Sequence, residues 1–306
     1  MAHKTLIDGT AYEISGGKTL IDGTAYGISG GKTLIGGTVY EVGFSKLPSD
    51  IDNSLEFTSA DAFSISAAHR WEGTLEYCNG VDGWQEWDGS EISSYASGRG
   101  HYIYIRGTGN NGITYGTTSA AAWTLTGTSI ACNGNIETLL DYAQVKAGIH
   151  PSMEEFCFGS MFANCTNLTT APALPATTVS GRCYRGMFAN CTNLTTAPAL
   201  PATTLGIYCY ESMFQGCTSL ATVPALPATT LKNYCYRSMF QGCTQIKLSR
   251  TRIDTYTQEY RIPFAGTGTS ASSALSNMFA GTGGTFTGSP SIDTTYYLDS
   301  ANTIVY

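Results

Sequence analysis

Ten cysteines among 306 residues are the first candidates for chemistry. Eight of them form pairs, Cys157/Cys165, Cys183/Cys191, Cys209/Cys217 and Cys235/Cys243, and the pairs recur every 26 residues. A zinc knuckle needs two sulfurs within a few residues, and no C-x-x-C occurs, which argues against zinc. Disulfides between repeats meet the distance requirement, since adjacent coils bring Cα atoms to about 5 Å, but parallel side chains fit the disulfide torsion badly. The spacing favours two ladders of buried, reduced thiols that act as small apolar fillers. Cys78 and Cys132 stand outside the ladders and fit either state.

The remaining chemical candidates are weaker. Glu86/Asp88 and Asp82/Glu91 could serve glycoside hydrolysis, and Asp82, Asp88 and Glu91 could gather around calcium. All lie in turn-rich sequence that reads better as solvated loop. His3, His69, His101 and His150 share no metal spacing. Gly107-Thr-Gly-Asn-Asn-Gly112 matches a phosphate-binding pattern, but Ile-Thr-Tyr-Gly follows where a helix would have to start. Asn164, Asn167, Asn190 and Asn193 sit in glycosylation-type triplets and read better as satisfying backbone groups at a bend. No catalytic residue, metal or cofactor is expected, and the chain is not read as an enzyme.

Binding is the better prospect. Trp84, Trp87, Tyr102, Tyr104 and Tyr115 could form a sugar-stacking platform, although Trp84 and Trp87, three apart, point to opposite faces of a regular strand. The residues that vary between otherwise constant repeats are Arg182, Arg185, Tyr208, Glu211, Tyr234 and Arg237. They are expected to be exposed contacts.

The elements that must carry these residues follow from two repeats. Lys4, Lys18 and Lys32 each begin a KTLI unit with a period of 14, and each unit reads as strand, two-residue turn and strand. Asp8-Gly9, Asp22-Gly23 and Gly36-Gly37 supply the turns. Residues 1–44 are thus a meander of β-hairpin repeats, predicted to be an attachment segment. Residues 45–133 hold short alternating runs between Asn-Gly and Asp-Gly turns and read as an antiparallel β-sandwich-like domain. Asn135–Gly148 reads as a capping helix with an apolar stripe of Ile136, Leu139, Leu140 and Ala143.

From Cys157 a 26-residue unit appears four times, with Met161, Met187, Met213 and Met239 at one position and MFANCTNLTTAPALPATT identical at 161–178 and 187–204. Cys, Met, Cys and the aromatic pair at four-residue intervals predict one face of a short helix. APALPATT supplies a loosely laddered strand, since proline lacks an amide donor. Residues 134–283 are therefore expected to be a solenoid, Asn277–Thr282 its last degenerate echo, and 284–306 edge strands. The chain as a whole reads as β-rich and multidomain.

Composition narrows the partners. Only 13% of residues are charged and the net charge is −7, which disfavours nucleic acid. Residues 50–100 hold ten acidic and two basic residues, whereas 157–247 hold five basic and one acidic, so the two regions should present different surfaces. No long apolar run suggests an export signal or a membrane span, and the expectation is a soluble chain made in a cytoplasm.

The unit CYxxMFxxCTxLTTAPALPATTL resembles the BspA-like leucine-rich repeats of bacterial surface proteins over residues 157–247. The KTLIDGTAYEI hairpins are similar to a segment near the start of phage and prophage structural proteins of gut bacteria. The first resemblance implies adhesion and the second virion attachment. Together they suggest a homo-oligomeric bacteriophage virion protein, a tail, fibre or capsid decoration, that contacts other virion proteins through residues 1–44. It would present the repeats to a host cell-surface glycan or protein. The alternative is a BspA-like adhesin on a bacterial cell surface.

Overall fold

The computed structural model describes residues 51, 54–68, 71–97, 100–114 and 123–306, together with six strands between His3 and Val42. Among these residues the chain is β-rich, with many short strands and one α-helix. The first six strands pair as three separate hairpins: β1 (His3–Ile7) with β2 (Thr10–Ile14), β3 (Lys18–Ile21) with β4 (Thr24–Gly27), and β5 (Gly31–Ile35) with β6 (Thr38–Val42). The turns predicted at Asp8-Gly9, Asp22-Gly23 and Gly36-Gly37 lie outside the described residues, as do His69 and Tyr115.

Nine strands follow: β7 (Leu55–Ser59), β8 (Ser64–Ser66), β9 (Thr74–Cys78), β10 (Gln85–Glu86), β11 (Ile92–Ser93), β12 (Tyr95–Ser97), β13 (Gly100–Thr108), β14 (Thr124–Thr126) and β15 (Ile130–Asn133). They form two sheets. The larger runs β10-β9-β13-β7-β15, with β12 also on β13, and the smaller runs β11-β8-β14. Alternation drives the pairing: Leu55 and Phe57 on β7 and Ile103 and Ile105 on β13 are fully buried. Trp87 and Trp123 meet edge to face at 5.0 Å, Trp71 stacks on Trp87 at 5.7 Å, and Phe57 lies 6.3 Å from Trp123. The loop after β13 is held by Asn110, whose amide oxygen accepts from Gly73 and whose nitrogen donates to Thr74 and Leu139. That loop is structural.

The single helix α1 (Thr138–Lys146) packs against β13, and Leu140 accepts a backbone bond from Asn110. Ile136, Leu139, Leu140 and Tyr142 are buried, whereas Ala143 of the predicted stripe is exposed. The reason is a kink: Asp141 has φ −154° and ψ 101°, which rotates the later residues off the apolar face. The first repeat is bonded to the loop after β13 and to the residue before β14, where Phe158 donates to Ile113, Trp123 donates to Met161 and Thr114 donates to Gly159, and to the start of the helical segment, where Ile136 donates to Ala173. β15 then pairs in parallel with β16 (Leu168–Thr170), so one sheet runs through the expected boundary at 133/134.

The short helix predicted in each 26-residue unit is absent; a ribbon of overlapping four-residue turns replaces it. In the first unit Cys157, Gly159, Met161, Ala163 and Cys165 each donate back three residues. Phe156, Phe158, Ser160 and Asn164 occupy the third place of such turns with φ between 55° and 68°, as type II turns require. The intervening amides of Phe156, Ser160, Phe162 and Asn164 donate instead to Gly181, Arg185, Met187 and Ala189 of the next unit. Half of the ribbon's amides are thus satisfied sideways, which a helix bonded i to i−4 would forbid.

Positive φ at Phe, Tyr and Arg costs about 1–3 kcal/mol per residue and persists only where the surroundings over-determine it. Here lateral bonds and stacked rings do so. Phe162, Phe188, Phe214, Phe240 and Phe279 form one file with centroids 5.4–5.7 Å apart. Phe158, Tyr184, Tyr210 and Tyr236 form another at 5.7–5.8 Å. The methionines occupy equivalent places beside the first file, since Phe162, Phe188, Phe214 and Phe240 donate to Met187, Met213, Met239 and Met278. Through the bonds from Phe240 to Met278 and from Gly242 to Ala280, Asn277–Thr282 continues the turn ribbon beside the fourth unit.

The extended side carries β17 (Thr178–Val179), β18 (Thr204–Leu205), β19 (Thr222–Pro224) and β20 (Leu248–Ser249). After β20 the chain departs through β21 (Tyr256–Arg261), and it returns as β22 (Thr295–Asp299) and β23 (Thr303–Val305). β22 lies between β20 and β21. β23 pairs in parallel with β19, taking the place beside the third unit's strand. Asn302, 2% exposed, ties this together: it donates to Ala221 and Gln245 and accepts from Lys247. The far end of the stack is closed too, because Phe279 donates to Gly288 and Tyr260 packs edge-on against its ring.

Candidate functional site

All ten cysteines are free and buried. In the second ladder the thiols of Cys191, Cys217 and Cys243 donate to the carbonyls of Phe162, Phe188 and Phe214 in the preceding layer at 3.0 Å, and Cys165 donates to Trp123 at 3.3 Å. In the first ladder Cys157, Cys209 and Cys235 are fully buried, and Cys183 donates to Glu154. Burial raises these thiols well above their ordinary range, to about 12 for Cys165, Cys183 and Cys217 and about 11 for Cys235. A thiolate is the reactive form, so such groups are poor nucleophiles. They pack.

Several binding candidates are placed elsewhere than the sequence suggested. Trp87 is 2% exposed and belongs to the core, which removes it as a contact residue. Its indole donates to Ser90. Trp84 is half-buried, and the guanidinium of Arg106 lies 4.0 Å above its ring while bonding Glu76. Tyr102 is buried and Tyr104 donates to Glu56. Arg106 thus already occupies one face of the Trp84 ring. Asp82, Glu86, Asp88 and Glu91 are exposed around the β9–β10 hairpin and the loop after it, and Asp88 caps the amide of Ser90. Among the described residues no group of three His, Cys, Asp or Glu side chains is arranged to hold a metal ion.

The variable residues of the repeats do converge. The 26-residue period puts Gly159, Arg185, Glu211 and Arg237 at one place of successive turn ribbons, and Phe156, Arg182, Tyr208 and Tyr234 three residues earlier. Two parallel columns result on the outer edge of the stack. In one, Arg182 lies 4.9 Å above Phe156 and 5.3 Å from Tyr208, and Tyr208 stacks on Tyr234 at 4.6 Å. In the other, Glu211 accepts from Nε of Arg185 and lies 3.5 Å from Arg237. Arg237 also sits 5.5 Å from the ring of Tyr234, which links the columns.

Glu211 is the exception to the expected exposure: its side chain is 8% exposed. A carboxylate in the middle layer is flanked by arginines on both sides, which close over it and themselves remain partly in water. It organises the column and does not face a partner.

A surface cleft of about 210 Å³ opens at the first-layer end of these columns, lined by Phe156, Gly159, Ser160, Arg182, Arg185, Gly186, Ser212 and Gln215. Phe156, Ser160 and Gln215 were not singled out from the sequence. Phe156 was findable, since it stands one period before Arg182. A second cleft, about 330 Å³, is lined by Glu137, His150 and Thr178 among others. There Glu137 is buried and bonded to His150 at 2.7 Å, and desolvation raises its carboxyl against the opposing bonds from His150 and Asn135. Among the described residues no helix is long and apolar enough to cross a membrane. Comparison of the chain with protein-family models, curated proteins and solved structures returns no match.

Proposed function

We propose that this chain is a structural protein of a bacteriophage virion whose stacked repeats present an adhesive face to the host cell. In this reading the layers from Cys157 to Thr282 are a leucine-rich-repeat-type solenoid. The sheets before it are a sandwich-like spacer, and the hairpins of 1–44 join it to other virion proteins in a homo-oligomer. The observation that carries it is the pair of side-chain columns, Phe156-Arg182-Tyr208-Tyr234 and Arg185-Glu211-Arg237, on one edge of the stack. At the buried positions beneath, the units exchange one apolar or aromatic side chain for a similar one, as in Phe158/Tyr184, Val179/Leu205 and Leu220/Ile246, whereas the columns change in charge and polarity. Weak contacts on such a face become effective when many copies sit on one particle.

Two measurements test the reading. Purified full-length chain should bind bacterial cells, and Tyr234→Ala with Arg237→Gln should weaken that binding tenfold or more while the circular-dichroism spectrum of the folded chain is retained. Particles assembled with a chain lacking residues 1–44 should not carry it. Retention of the shortened chain would instead favour a free-standing surface adhesin, and unaltered cell binding by the double variant would remove the face from the argument.

A further inference from the structure

We infer that the cleft between Arg182 and Arg185 takes the carboxylate of an acidic sugar residue within a longer surface polysaccharide. The inference rests on the reading of the column face as a binding surface. Its size sets the scale: about 210 Å³ lies below the roughly 300–1,000 Å³ of pockets that enclose a whole drug-sized ligand. Such a cleft holds one small group of something larger. It is open at this layer because Gly159 stands where later layers carry Arg185, Glu211 and Arg237.

Donors outnumber acceptors there. Each guanidinium carries five N–H groups. Arg182 uses one toward Glu155 at 3.3 Å, and Arg185 uses Nε toward Glu211. Among the described residues no other acceptor is hydrogen-bonded to either side chain. Planar guanidinium groups with free donors bind carboxylates and phosphates in charge-assisted, often bidentate pairs.

Charge disfavours a phosphate monoester. Arg182, Arg185 and Arg237 face Glu155 and Glu211, which leaves one uncompensated positive charge. A singly charged carboxylate matches it, whereas a phosphate monoester near −2 overshoots. The aromatic column beyond Phe156 offers little free ring face to a neutral sugar. Arg182 covers one face of Tyr208, Tyr234 covers the other, and Arg237 lies by the ring of Tyr234. Hydrogen bonds and charge must do the recognition, helped by Ser160, Ser212 and Gln215 at the rim.

The test titrates full-length protein with tetragalacturonate, and with the same oligosaccharide after its carboxyl groups are reduced to alcohols, by calorimetry at low and physiological salt. The acidic form should bind at least tenfold more tightly, and added salt should weaken it. Arg182→Gln should lose tenfold or more without a change in thermal unfolding, while Arg182→Lys, which keeps charge and loses the planar fork, should fall between. Equal affinity for the two oligosaccharides, or no binding of either, overturns the inference. If it fails while cell binding still depends on Tyr234 and Arg237, only the ligand class is wrong. If cell binding ignores those residues as well, the face itself is wrong.

Discussion

Raising the pH should unfold this protein in a narrow window, because its interior is lined with thiols. Nine of the ten cysteines (all but Cys78) are pushed above their ordinary value of 9.0, chiefly by desolvation. A group whose folded value is raised keeps its proton longer when folded, so its stabilising contribution is complete below pH 9 and lost as pH climbs toward the folded value. Over the interval from 9 to about 11, where Cys235 begins to titrate in the folded state, each thiol costs about 1.4 kcal/mol per pH unit. Nine acting together amount to roughly 4 kcal/mol at pH 9 and roughly 13 kcal/mol at pH 10. A total stability of about 5–15 kcal/mol does not survive that.

The assay is urea unfolding followed by circular dichroism at half-unit steps from pH 7 to pH 10.5, with reductant present. The midpoint should hold nearly level to pH 8 and collapse between 9 and 10. Replacing Cys191 and Cys217 with alanine lowers stability at pH 7, since packing is lost. It should also make the alkaline loss shallower by about 3 kcal/mol at pH 10. A flat profile to pH 10, or a double variant with an unaltered slope, refutes the reasoning.

Asn302→Ala should cost about 3 kcal/mol in chemical unfolding, because it strands the buried partners of three hydrogen bonds between the third and fourth units. Phe214→Ala, at the centre of the ring file and fully buried, should cost about 3–5 kcal/mol by the same measurement. Arg185→Met should destabilise by about 2 kcal/mol and Glu211→Gln by about 1 kcal/mol. The first leaves a buried carboxylate with only the longer contact to Arg237, whereas the second frees arginines that already reach water. The reverse order would show that Glu211 is not the buried member of the pair.

The stacking of the 26-residue units was legible because four copies of one unit, with matched methionines and phenylalanines, bury their apolar sides against one another. The backbone between them was not. Cys157, Met161 and Cys165 at intervals of four fit a helical face, yet a helix drifts about 40° over four residues, so a strict period of four suits a turn ribbon better. The residues that could have announced it are Asn164, Asn190, Gly186, Gly216 and Gly242, all with positive φ at the third place of a turn. The kink at Asp141 left no pattern, and the insertion of β23 beside β19 depends on contacts across more than 70 residues. Of the candidate site, the outward positions were readable from variation against a constant background. That Glu211 is buried was not, because it depends on arginines one layer to each side.

Both ends of the stack are sealed, the first by Ile113 and Trp123 and the last by Gly288 and Tyr260, and the interior layers hand most of the same bonds to the next, as Phe162, Phe188 and Phe214 do to Met187, Met213 and Met239. A gain or loss of one 26-residue block by recombination between 161–178 and 187–204, which are identical, would leave both seals intact. The reach of the molecule and the number of rungs it shows the outside world are therefore heritable quantities that can change in single steps, without any new fold having to be found.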